Sequence, residues 1–170
     1  MDGVTLQRAP GARAAETLLI AFLATVTMLF AGFTSAYLIR RTGSDWARLE
    51  LSPLVYVNTL VLLGASVTLE LAQTRKGALL PRAAALLGCL FLIGQVLVWR
   101  TLSGDGHFVW HRPQGAFFFL LSVVHGLHLA GGLIALVWLL TKHARLRLVV
   151  VYWHFLALAW IYVLVLLRFQ

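Results

Sequence analysis

Three histidines stand in sequence that is otherwise apolar: His125 and His128 in "HGLHLAGG", and His154 in "YWHF". Imidazole can ligate a metal or haem iron, carry a proton, or hydrogen-bond through both ring nitrogens. On a helix His125 and His128 lie about 60° apart and share one broad face. A mononuclear metal needs three or four ligands, commonly with a carboxylate or thiolate among them, and this stretch supplies neither. Haem held by two histidines needs one from each of two facing helices, which His154 with His125 or His128 could provide. No second such pair follows, and few basic groups stand at depth to meet the propionates. Interhelical hydrogen bonding, the common use of polar side chains in membrane bundles, is the reading these residues favour. His107 and His111 sit with Asp105 and Arg112 in a polar stretch that reads as a solvated loop, since one Asp and no Cys is too little for zinc.

Other polar residues fall into helical patterns. Thr59, Ser66, Glu70 and Gln73 follow one stripe of a 3.6-residue helix, so that stripe is expected to face protein. Glu70 stands near the end of its apolar run, where Arg75 or Lys76 could neutralise it as it reaches for the interface. Ser122, Gly126 and Ala130, Gly131 with Ala135, Ala31 with Ser35, and Gly32 with Ala36 have the four-residue spacing that lets helices approach closely. Trp153 and Trp160 share a face, with Ala157 between them; Trp46, Trp99 and Trp110 stand near the ends of apolar runs, as interfacial tryptophans do.

The elements that position these residues are set by hydropathy. Of 170 residues 61% are hydrophobic and 12% charged, with a mean hydropathy of +0.87, a composition that excludes a water-soluble surface. Five apolar runs are each long enough for the roughly 20 residues a bilayer crossing needs. They are expected at 15–39, 53–73, 82–102, 114–141 and 146–168: an all-α, polytopic membrane bundle of five transmembrane helices in one domain over 1–170. Pro53, Pro81 and Pro113 suit helix starts, and Gly43, Gly77, Gly104 and Gly106 suit the breaks. The first run is too long for a secretory signal and reads as an uncleaved span.

The net charge of +8 sits at the ends of apolar runs rather than in a patch or tail, which speaks for topology and against nucleic acid. With the N-terminus cytoplasmic, Arg8, Arg13, Arg75, Lys76, Arg82, Lys142, Arg145 and Arg147 lie inside, eight against six outside. The inner loops then carry no acid, whereas the outer ones carry Asp45, Glu50 and Asp105. The single Cys89 excludes an intrachain disulfide, and no paired broken helices suggest a repeat-built transporter.

Five segments in order resemble subunit III of the haem-copper respiratory oxidases, in its short five-span bacterial form. They are "FLATVTMLFAGFTSAYLIRR", with Phe30, Ala36, Tyr37 and Arg40; "PLVYVNTLVLLGAS", with Asn58, Thr59 and Ser66; and "GCLFLIGQVLVW", with Gly88, Phe91, Gln95 and Trp99. The fourth is "FFFLLSVVHGLHLAGGL", with His125, Gly126 and His128, and the fifth "YWHFLALAWIYVLV", with Tyr152 to Phe155 and Trp160. The resemblance covers nearly the whole chain. It implies a subunit without a redox centre that packs against oxidase subunits I and II, retains phospholipid, and supports proton uptake by a complex whose haem and copper lie in the catalytic subunit. It further implies a multi-pass protein of the bacterial inner membrane, possible in a larger supercomplex, with cytochrome c or quinol as donor. Arg40, Asn58, Glu70, Gln95, His125, His128, Trp153, His154 and Trp160 are then expected at subunit or lipid contacts. Two buried carboxylates that the family pattern carries are replaced, by Val26 after Thr25 and by Ala157. Two rival readings are an accessory of the same family serving nitric oxide reductase or oxidase assembly, and a small haem or quinone carrier using His125, His128 and His154.

Overall fold

The computed structural model describes residues 10–46, 51–75, 77–104, 113–142 and 146–168. These form five α-helices: α1 (Pro10–Arg40), α2 (Pro53–Thr74), α3 (Leu79–Gly104), α4 (Pro113–Lys142) and α5 (Arg147–Arg168). All five are long and apolar enough to cross a membrane. His107, His111, Asp105, Gly106, Trp110, Arg112, Lys76 and Glu50 lie outside the described residues.

Local chemistry explains the boundaries. Pro10, Pro53 and Pro113 each open a helix, where the missing N–H would have had no partner. Ser52 caps α2 by accepting a hydrogen bond from the Leu54 amide at 3.4 Å. α1 begins five residues before the expected span: Pro10 takes the first position, and Ala12, Arg13 and Ala14 extend the helix. α3 starts at Leu79 rather than 82, with Pro81 inside its first turn, and Gly104 is its last residue. Between α2 and α3 only positions 75–78 remain, and Gly77 takes φ +145°, a conformation that other residues rarely adopt. So short a turn makes α2 and α3 antiparallel neighbours.

The tertiary arrangement is a ring of four helices with a fifth outside it. α2 packs on α3, α3 on α4, α4 on α5, and α5 back on α2. α1 lies against α4 and α5, not against α2, its neighbour in sequence. Phe91, Phe118, Trp153, Trp160, Leu62 and Leu69 fill the ring. From α1, Val26, Phe30 and Tyr37 are buried along one stripe, while Leu18, Ile20, Met28 and Ile39 face outward. An apolar exterior is what hydrocarbon surroundings demand.

Close helix approach occurs at positions other than most of those the small-residue spacing suggests. Ala31, Gly32, Ser35 and Ala36 are exposed, and open space surrounds Gly32 and Gly131. Only the Ser122–Gly126–Ala130 series turns toward a neighbour, with Gly126 facing Leu92 of α3. The tight contacts are at Gly88, where a Cβ would lie 2.9 Å from the Trp153 ring; at Gly132, 2.8 Å from the Tyr152 ring; and at Gly94, where it would collide with Asn58 Oδ1. Small residues serve here to admit a large or polar side chain of the facing helix.

Asn58 is buried and held by two hydrogen bonds, so it cannot yield to a methyl group at position 94. Gly94→Ala is expected to destabilise the bundle by about 1–3 kcal/mol, the usual cost of overpacking. Gly131→Ala, made into open space, is expected to leave stability unchanged or slightly raised. Thermal unfolding of the two variants in the same mild detergent measures the difference.

Candidate functional site

α2 carries polar residues toward both helices beside it. Toward α3, Asn58 Nδ2 donates to the Phe91 carbonyl at 3.1 Å and to Gln95 Oε1 at 3.2 Å. Toward α5, Thr59 Oγ1 accepts from Trp160 Nε1 at 3.0 Å while donating to its own helix at the Val55 carbonyl. Two turns on, Ser66 Oγ lies 2.5 Å from His154 Nδ1, and His154 Nε2 lies 2.9 Å from Glu70 Oε2. Gln73 Nε2 donates to the same Glu70 oxygen at 2.9 Å. The stripe of Thr59, Ser66, Glu70 and Gln73 thus runs along the α2–α5 seam. Glu70 is partnered by His154 and Gln73, and among the described residues Arg75 makes no ion pair with it; Lys76, the other candidate, lies outside the described residues.

Trp160 joins all four helices of the ring. Its indole N–H bonds to Thr59 of α2, and its ring lies 5.5 Å from Phe91 of α3 and 5.0 Å from His125 of α4. The Phe91 contact is edge to face at 88°, the favourable geometry for a pair of aromatic quadrupoles. Trp153, also fully buried, lies against Gly88 of α3, and among the described residues its Nε1 has no hydrogen-bond partner. Ala157, between the two tryptophans, is buried.

The three histidines do three different things. His154 bridges α5 to α2. His128 donates from Nδ1 to the Val124 carbonyl of its own helix at 2.7 Å, and its backbone carbonyl accepts from Tyr152 Oη at 2.7 Å. His125 departs from the expected interhelical hydrogen bond: it is fully buried, and among the described residues neither ring nitrogen has a hydrogen-bond partner. Its contacts are aromatic, with Trp160 and with Phe91 at 5.9 Å. Among the described residues no three His, Cys, Asp or Glu side chains converge as a metal site would require.

Several ties use residues that hydropathy and spacing did not mark as partners. Trp99 Nε1 donates to Ser122 Oγ at 2.9 Å, and Ser122 donates to the Phe119 carbonyl at 3.0 Å, joining α3 to α4. Tyr162 Oη donates to Thr34 Oγ1 at 2.9 Å, joining α5 to α1. The available signal was an aromatic residue with a polar tip inside a span, since such tips usually find a partner when buried. Val26 is buried on the face of α1 where Phe22 and Phe30, one turn on either side, place their rings 6.0 and 6.4 Å from His128.

Chemically, the carboxylate–imidazole–hydroxyl order of Glu70, His154 and Ser66 is one that can activate a nucleophile. Ser66 is buried, however, so no substrate can reach its oxygen. The remaining capability is to hold and share a proton.

At the opposite end of the bundle Arg40 closes the turn after α1 by donating from Nη1 to Asp45 Oδ1 at 2.8 Å, with a second bond to the other carboxylate oxygen. That hydrogen bonding holds the Asp45 carboxyl below the usual carboxylate range. A carboxylate depressed in the folded state contributes stability above its unfolded value, and loses it as pH falls through the folded one. Acid melting curves of the wild type are therefore expected to contain a small component below about pH 4 that Asp45→Asn lacks. At neutral pH the two proteins should differ little, since both partners are exposed.

Comparison with known proteins bears on what such a bundle belongs to. No family model matches. The chain is 32% identical to a probable cytochrome c oxidase subunit 3 of Mycobacterium tuberculosis, over 84% of this chain and 81% of that protein. It is 30% identical to a probable cytochrome c oxidase subunit 3 of Mycobacterium leprae over the same shares. It is 31% identical to the cytochrome bo(3) ubiquinol oxidase subunit 3 of Pseudomonas aeruginosa, over 82% of this chain and 77% of that one. At these identities and this coverage, with five membrane-spanning helices to match, the chain belongs to the cytochrome c oxidase subunit 3 family.

Proposed function

We propose that the chain is the structural subunit III of a respiratory terminal oxidase, without a redox cofactor of its own. It packs on the catalytic subunit, whose haem and copper carry out oxygen reduction, and stands with subunits I and II in a bacterial cytoplasmic membrane. Its donor is cytochrome c or quinol, since relatives with both names align over most of the chain. Retained phospholipid belongs to the same reading, as does an N-terminus on the cytoplasmic side, which the eight-to-six distribution of Lys and Arg supports.

One observation carries the cofactor-free reading beyond family membership: the polar side chains inside the ring mostly engage one another. Asn58 takes Gln95, Thr59 takes Trp160, Ser66 takes His154, and Ser122 takes Trp99. His154 has a partner on each nitrogen, and the His128 Nδ1 hydrogen is directed to its own helix. Such bonds set how helices sit against each other.

A tagged chain purified in mild detergent is expected to bring with it a large haem-containing membrane subunit. Mass spectrometry identifies that subunit, and the absorption spectrum shows haem in proportion to it. The chain expressed alone is expected to show no Soret band. A Soret band in a one-to-one ratio with the isolated chain would overturn the proposal in favour of a haem carrier. Co-purification with a nitric oxide reductase subunit instead would place the chain in that other complex.

A further inference from the structure

Among the described residues, Glu70 and His154 are the pair joining two helices in which both members are of ionisable type and both are partly exposed, with side chains 53% and 42% accessible. Glu70 stands four residues before the end of α2, roughly 6 Å along the helix axis, so water and headgroups at that end can reach it. Both hydrogen bonds it receives fall on Oε2.

The partners of His154 suit two protonation states without moving a heavy atom. With a neutral ring, Nε2–H donates to the Glu70 carboxylate and Nδ1 accepts from the Ser66 hydroxyl. With an imidazolium, Nε2–H still donates to Glu70, and Nδ1–H now donates to Ser66 Oγ. The serine hydrogen then turns to a carbonyl one turn back on α2, the usual alternative for a helical serine. A hydroxyl is the side chain suited to that position, because it reverses its role by rotating. Had Nδ1 met a backbone N–H or carbonyl, one of the two states would have been excluded.

We propose that Glu70, His154 and Ser66 form a proton-binding site at the end of the bundle where α2 finishes and α5 begins. One proton enters from the aqueous side, and the pair passes from a net charge of −1 to zero. No bond other than the N–H or O–H that receives the proton changes, and nothing is oxidised. A neutral pair is the cheaper state beside hydrocarbon, since ionised groups there need a counter-charge. Around Glu70, α5 offers His154 and, two turns earlier, Arg147; α3 offers Arg82; Arg75 follows α2 itself. Among the described residues none of these arginines forms an ion pair with Glu70. The site rests on this geometry alone and stands whichever large subunit accompanies the chain.

The test uses the intact complex in lipid nanodiscs, with ring-15N histidine incorporated, and follows imidazole signals from about pH 5 to 8. One histidine is expected to titrate reversibly, and its signal is expected to be absent in His154→Asn. Glu70→Gln keeps the size and one acceptor oxygen but removes the charge, and is expected to weaken proton binding about tenfold, as loss of an opposite charge within hydrogen-bond distance does. Should His154→Asn fail to assemble, the Glu70→Gln displacement alone assigns the signal. A His154 that stays in one protonation state across this range, or a titration unmoved by Glu70→Gln, would overturn the proposal.

Discussion

Hydrocarbon offers a buried polar atom no hydrogen-bond partner, so whatever polar side chains a membrane helix carries inward must meet one another. In this chain that constraint acts through α2. One face of the helix sends Asn58 to α3; another sends Thr59, Ser66 and Glu70 to α5. Apolar contact alone would leave the helices free to rotate or slide, because a lipid tail is as good a neighbour as a leucine. Donor and acceptor positions are not interchangeable in that way. The bonds from α2 fix the rotation of three helices about a common centre, and close packing completes the arrangement.

Trp160 shows how polar and packing requirements meet in one side chain. Its indole N–H is oriented by Thr59, and that orientation turns the ring toward Phe91 and His125. His125 is thereby used as a flat aromatic body, a role that explains why an imidazole without hydrogen bonds is tolerated at the centre of the ring. The glycines contribute on the same terms. Gly94 makes room for Asn58, Gly88 for Trp153 and Gly132 for Tyr152, so each close approach is shaped by a particular side chain across the interface.

The sequence revealed most where it carried a signal of length or of polarity. Five apolar runs of bilayer length gave the five helices, with α1 starting five residues and α3 three residues earlier than expected. The stripe from Thr59 to Gln73 gave the inward face of α2, because polar residues in lipid seek protein. Its partners on α5 were less legible: His154 was visible as a polar residue, but its register with Ser66 and Glu70 depends on how α2 and α5, far apart in sequence, meet in space. The placement of α1 outside the ring was not legible at all. An apolar helix in lipid has no polar face to mark its outside, so Ala31, Gly32, Ser35 and Ala36 have the pattern of a packing seam yet face away from this chain. Small residues permit close approach; they do not compel it.

The apolar residues at positions 26 and 157 fit this physical picture. Val26 and Ala157 are buried, and a carboxylate at either position would need compensation for its lost hydration. Near Val26 the neighbours are the rings of Phe22, Phe30 and His128, which provide apolar contact to a valine. Near Ala157 stand Trp153 and Trp160, whose bulk a small residue accommodates. A well-packed apolar residue at such a buried position is often as stabilising as an ionisable one, or more so. The carboxylate of α2, Glu70, stands near the end of a helix, where water lowers the cost of charge and His154 lies within hydrogen-bond reach. The division follows from the dielectric setting: among the described residues the carboxylates Glu16, Asp45 and Glu70 stand near helix ends, where the surroundings can follow a change of charge.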